Sequence, residues 1–211
     1  MNRSALLVLT LFLLSPLIGP APHFAAAQQK KGPARKPGIY AAFDTSMGNF
    51  LCELYEKQAP AAVANFVGLA EGTKEWLDTK GDFQKRPFYN GLTFHRVLNN
   101  YLIQAGDITG TGGNFRAVIP FENEIVPALK FDHPGVLAMA NNTAPKTNTT
   151  QFFITVIPAA ALDGKYTIFG KVIDGLAVVQ AISKVPVFAS KPTKDVIIHR
   201  ITIERITRQV P

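Results

Sequence analysis

The sequence predicts a mainly β domain, a closed eight-stranded antiparallel β-barrel capped by two α-helices. Three observations carry that expectation. Short apolar runs rich in Phe, Val and Ile recur between residues 40 and 206, bounded by Gly, Pro, Asn and Asp. Only two stretches have helical spacing instead. A single cysteine, Cys52, excludes an internal disulfide, so a packed core must supply the stability. Short strands around such a core are commonly closed into a barrel, which leaves no edge unpaired.

In chain order, Tyr40 to Thr45 and Phe50 to Tyr55 are β-type runs joined by a turn at Ser46-Met47-Gly48-Asn49, with glycine at its tip. Cys52 alternates with Phe50 and Leu54, so it reads as a small core hydrophobe and not as a catalytic thiol. Pro60 opens a helix that carries Val63, Phe66, Val67 and Ala70 on one face and closes at Gly72. Further strands are expected at Leu92 to Leu98, Tyr101 to Gln104, Val136 to Ala140, Phe152 to Ile157 and Tyr166 to Val172. A second helix is expected from Leu176 to Ser183, capped by Asp174. The last strand spans Val196 to Ile206, where Ile197, Ile201 and Ile203 alternate with polar residues.

The ends of the chain are of a different kind. Residues 1–27 combine Arg3, an apolar run from Ala5 to Leu14, the breaker Ser15-Pro16 and the small residues Ala25-Ala26-Ala27, the pattern of a cleavable signal peptide. The alternative is an uncleaved anchor, but the apolar run is shorter than the ~20 residues of a spanning helix, and no stable membrane insertion is expected after cleavage. Residues 28–38 form a basic, Gly- and Pro-rich linker; 39–206 form one domain; 207–211 form a tail. Export is expected, with a bacterial periplasm fitting best and a eukaryotic secretory lumen as the alternative. The net charge of +7 gathers at the ends, with no aromatic-rich RNA-reading motif, so no nucleic-acid partner is expected. A monomer is the default for a domain of this size.

Familiar catalytic patterns are missing. There is no G-x-S-x-G elbow, and Ser46, Ser183 and Ser190 have no neighbouring histidine. His95, His133 and His199 stand singly, without a second ligand at metal-binding spacing, so no metal is expected. The run Gly110-Thr111-Gly112-Gly113 does not continue into a phosphate-binding Gly-Lys-Ser/Thr. Two glycosylation sequons, Asn141-Asn142-Thr143 and Asn148-Thr149-Thr150, are read as chance matches.

What remains is a middle section dense in polar residues among aromatics: Phe94-His95-Arg96, Gln104-Ala105-Gly106-Asp107, Gly110-Thr111-Gly112-Gly113, Met139-Ala140-Asn141, Gln151-Phe152-Phe153-Ile154 and Leu162-Asp163-Gly164-Lys165, followed by Phe169-Gly170-Lys171. In order and spacing these motifs resemble the cyclophilins over nearly the whole of residues 39–206. The resemblance implies a peptidyl-prolyl cis-trans isomerase that needs no cofactor and acts on proline-containing polypeptides. It puts the catalytic role on Arg96, with Gln104 orienting it. It puts the binding groove on Tyr101, Leu102, Gly110, Ala140, Asn141, Asn142, Gln151, Phe153, Leu162 and Tyr166. Many members have Trp where this chain has Ala161, which implies weak or no cyclosporin binding. Many have His where Tyr166 stands, a change that keeps an aromatic wall.

The chemistry fits such residues. Uncatalysed X-Pro rotation takes on the order of tens to hundreds of seconds because the amide must lose its conjugation. Twisting leaves a lone pair on the prolyl nitrogen, and a donor aimed at it binds the twisted state better than either planar isomer. No bond breaks, so neither nucleophile nor metal is required. The competing expectation is a proline-binding or chaperone module that uses the same groove without catalysis; an enzyme of another class on a barrel scaffold has no motif behind it. Taken singly, Arg96 reads as a surface ion-pair partner, while Phe94 and Phe152 read as interior neighbours of the site residues.

Overall fold

The computed structural model describes residues 35–207, apart from 114, 143 and 145. The expected signal segment and most of the linker and tail lie outside the described residues. Within them the order is β1 (Gly38–Thr45), β2 (Gly48–Leu54), α1 (Pro60–Glu71), β3 (Trp76–Leu77), β4 (Phe83–Gln84), β5 (Arg96–Leu98), β6 (Leu102–Ala105), β7 (Val136–Met139) and β8 (Phe152–Thr155). There follow β9 (Ile168–Asp174), α2 (Leu176–Ile182), β10 (Val187–Phe188), β11 (Lys191–Pro192) and β12 (Ile198–Ile206).

Eight strands form one sheet in the order β12-β1-β2-β9-β7-β8-β6-β5, and every pairing is antiparallel. The expected barrel is present, but its closure differs from the expectation. The edge strands β12 and β5 share no ladder. Instead, the segment before β5 meets the start of β12 through a Thr93–Ile197 bridge and through bonds from Phe94 N to Val196 O (3.0 Å) and from Ile198 N to Leu92 O (2.8 Å). The strand expected from Leu92 is therefore regular only from Arg96; its first half is a seam.

Pro60 stands in the first turn of α1, and Gly72 ends it in the left-handed region at φ 74. A side chain at Gly72 would meet the backbone of Arg86 at 2.4 Å. Ala59, at the N-cap, has no capping side chain. Glu124 takes over from a distant loop, accepting bonds from Ala61 N and Ala62 N at 2.9 Å each. The cap expected of Asp174 on α2 is not formed: Gly175 is the N-cap residue, in the left-handed region, and Asp174 accepts from the Gly175 N–H instead. The β1–β2 turn is tighter than expected, with Thr45 already paired to Gly48, so that Ser46-Met47 is the tip.

The barrel interior is aromatic. Phe66 of α1 lies between 5.1 and 6.1 Å, ring to ring, from Phe43, Tyr89, Phe152 and Phe169. Phe94, Phe152 and Cys52 are fully buried in this same core, as the alternation of strand side chains requires. The helices contribute Val63, Phe66, Leu69, Val179 and Ile182. Two small hairpins, β3–β4 and β10–β11, were not legible in the sequence, since two-residue strands carry no periodicity.

Candidate active site

The ladder register of four strands builds the site. Arg96 lies opposite Gln104, Gln104 opposite Phe153, and Phe153 opposite Ala138. Directly opposed residues share a face of the sheet. The next row, Val97, Ile103, Ile154 and Leu137, faces the other way and fills the barrel. The row that begins at Arg96 is consequently on the outside, where it supports a second apolar cluster.

That cluster contains Leu102, Phe131, Val136, Ala138, Phe153, Ala159 and Ile168, with Tyr101, Ala140, Leu162 and Tyr166 packed against it. Phe153 stacks on Phe131 at 5.8 Å and meets Tyr166 edge-on at 5.2 Å. Over it opens a pocket of about 240 Å³ lined by Arg96, Leu102, Gln104, Gly112, Ala140, Asn141, Phe153 and Tyr166. One side of this pocket is apolar and aromatic, and the other is polar with a single cation.

Arg96 is exposed and donates from Nη1 to Gln104 Oε1 at 3.0 Å. Gln104 Nε2 donates to Gln151 Oε1 at 2.8 Å, and Gln151 Nε2 donates to the Gly113 carbonyl at 2.9 Å. This relay fixes the guanidinium from one side and leaves the rest of its donor fork for a ligand. Asn141 donates from its side chain to Asn123 Oδ1 at 2.9 Å, and Asn142 accepts from Ala144 N at 3.2 Å. Tyr101 and Leu162 pack against the apolar cluster beneath the pocket without lining it. Gly110 lines neither this pocket nor its neighbour, and a side chain added there would meet nothing within 4 Å.

The loop after β6 is held by Asp107. Burial pushes its carboxyl pKa up, but hydrogen bonds from Thr109 and Gly112 outweigh burial and hold it below the ordinary value. The carboxylate also accepts from Thr111 N at 3.0 Å. Gly106 makes the fit possible: its φ is +89, and a Cβ there would lie 2.3 Å from the Thr150 carbonyl oxygen. Beneath the loop, His95 is buried and neither ring nitrogen has a hydrogen-bond partner among the described residues. Burial lowers its pKa, against opposing pulls from the Asp107 charge and the nearby Gln151 side chain.

A second pocket of about 140 Å³ adjoins the first. Its lining includes Gly112, Phe115, Arg116, Pro120, Thr147 and Thr149, none of which the sequence reading assigned to the groove. The Gly-Thr run next to Asp107 was a signal for Gly112; Arg116 carried none. Asn148, the second sequon asparagine, is fully buried and donates to Glu122 O at 3.0 Å, so it is closed to modification. No helix among the described residues is long and apolar enough to cross a membrane.

Residues 40–203 match the family described as cyclophilin type peptidyl-prolyl cis-trans isomerase/CLD. Peptidyl-prolyl cis-trans isomerase A of Mycobacterium tuberculosis is 45% identical over 167 residues, covering 77% of this chain and 91% of that protein. Human peptidyl-prolyl cis-trans isomerase-like 1 is 41% identical over 163 residues, covering 76% and 88%. Among solved structures, a Cryptosporidium parvum cyclophilin type isomerase has a TM-score of 0.69 at 34% identity and covers 80% of this chain and 98% of that one. The same protein has been crystallised in the presence of the dipeptide Ala-Pro.

Proposed function

The chain belongs to the cyclophilin-type peptidyl-prolyl cis-trans isomerases and catalyses rotation about X-Pro bonds; from that premise we propose that Arg96 is the catalytic donor and that the substrates are exported proteins. One observation carries the residue assignment. Arg96 stands at the rim of a pocket floored by Phe153, with its guanidinium oriented by Gln104 at 3.0 Å.

The pyrrolidine ring enters between Phe153, Leu102 and Tyr166, where burial replaces its hydration. Proline in a small peptide is a fitting occupant, in keeping with the Ala-Pro dipeptide used with the related parasite isomerase. As the amide twists, the prolyl nitrogen regains its lone pair and becomes an acceptor for an Arg96 N–H. Arginine suits the task because its fork stays charged and offers several donors in one plane. Shortening a hundred-second event to about a millisecond lowers the barrier by roughly 7 kcal/mol, at about 1.36 kcal/mol per tenfold. A charged donor matched to the twisted state and a dry ring pocket supply terms of that order. Ala161 is exposed and presents only a methyl beside Leu162, in keeping with weak or no cyclosporin binding.

Exchange NMR on a short X-Pro peptide tests the role of Arg96. The wild type should accelerate exchange, and Arg96→Ala should lose roughly 10²–10³-fold of that acceleration while still binding peptide. Catalysis that persists intact in Arg96→Ala would sink the assignment; binding without acceleration by the wild type would favour a proline-binding module. The export reading rests on residues 1–27. It predicts a periplasmic protein whose N-terminal residue is Gln28, and N-terminal sequencing that returns an intact Met1 would overturn it.

A further inference from the structure

The two pockets share Gln104, Gly112, Ala140 and Asn141, so they are lobes of one groove. The first lobe is walled by Phe153 and Tyr166 and the second by Phe115, Asn142, Thr147 and Gln151. Arg116 is the one charged residue lining the second lobe among the described residues, and no acidic residue lines either lobe. Arg116 is exposed and forms no ion pair with a described residue. Acids from the same stretch of chain are engaged or elsewhere: Asp107 holds Thr109 and Gly112, Glu124 holds the start of α1, and Glu122 lines neither lobe.

An extended peptide with proline in the first lobe turns every second side chain to the same face. The neighbouring lobe therefore receives the side chain two residues from the proline. Building on the isomerase reading, we propose that this lobe takes an acidic side chain, with Arg116 as its counter-charge. The polar lining, with the Thr149 hydroxyl among it, suits a carboxylate that keeps part of its hydration. A lysine in the same place would meet Arg116 with no acid to offset it, so the selectivity has a repulsive half as well as an attractive one.

The test is the ratio of kcat/KM for peptides that differ only in carrying Glu, Gln or Lys two residues before or two residues after the proline. With the wild type, Glu should exceed Gln and Gln should exceed Lys on one side of the proline, by roughly two- to fivefold per step, the scale of a partly exposed ion pair. Arg116→Glu should invert the Glu-to-Lys ratio. Arg200→Glu, an exposed reversal on β12, should leave the ratio in place; if it shifts the ratio equally, net charge is steering the peptide and the proposal falls. Fast isomerisation with equal rates for the three peptides would overturn the acidic preference while leaving the isomerase intact. No acceleration of any peptide, together with binding indifferent to charge, would overturn both.

Discussion

At Arg96, charge and geometry come from different places. The guanidinium is a property of the residue, whereas its aim depends on Gln104, Gln151 and the Gly113 carbonyl in series. Replacing Gln151 with Leu removes the support of Gln104 and should lower kcat by about tenfold, the worth of one or two hydrogen bonds, with a smaller change in KM. An unchanged kcat would show that the relay is structural only. His95 yields a prediction about pH. Its folded pKa lies below the ordinary histidine value of 6.5, so as pH falls past 6.5 the unfolded chain takes up the proton first. Stability should decline from about pH 6.5 downward and flatten once the folded state also binds the proton; His95→Gln should remove that part of the slope in urea titrations. Cys52 has no such role, because full burial pushes its thiol pKa up and out of reach of oxidants.

Among the elements, α1 shows how a helix can depend on a loop. Its first free N–H groups are met by Glu124 and not by Ala59. Glu124→Ala should destabilise the fold by about 1 kcal/mol, the usual cost of losing a cap, and speed amide exchange in the first turn of α1. Exchange unaltered in that turn would refute the capping role. Phe66→Ala should cost roughly 3–5 kcal/mol by denaturant unfolding, since the ring touches four other aromatic rings in the barrel. The bounds of α1 were legible because Pro60 and Gly72 mark its ends by their own backbone limits. The N-cap of α2 was misread at Asp174 because a glycine in the left-handed region can hold that position without a side-chain bond.

Over the whole molecule, the two edges of the sheet meet at a short seam, and an ion pair joins a helix end to the last strand. Arg205 near the end of β12 reaches Glu71 at the end of α1 through two bonds of 2.5 and 3.0 Å. The hydrogen bond from Arg205 holds the Glu71 carboxyl below 4.5. Its stabilising effect is therefore present above about pH 4.5 and is lost as pH falls through the lowered value. Glu71→Gln should flatten the acid limb of the stability curve in that window, and an unaltered limb would exclude the pair as its source.

The sequence alone determined the mainly β character, the eight principal strands, both helices and the family. Each follows from local periodicity, from residues with restricted backbones, or from motifs a few residues long. Tertiary structure decided which strands became neighbours. Arg96, Gln104, Phe153 and Ala138 line up only because β5, β6, β8 and β7 are adjacent, an order that sequence distance does not disclose. Tertiary structure also decided that the barrel closes through a seam, that Glu124 caps α1 and that Arg116 faces the groove. These features depend on contacts between segments far apart in the chain. Such contacts form only when loops are pinned and strands are in register, and local pattern carries no record of that pairing.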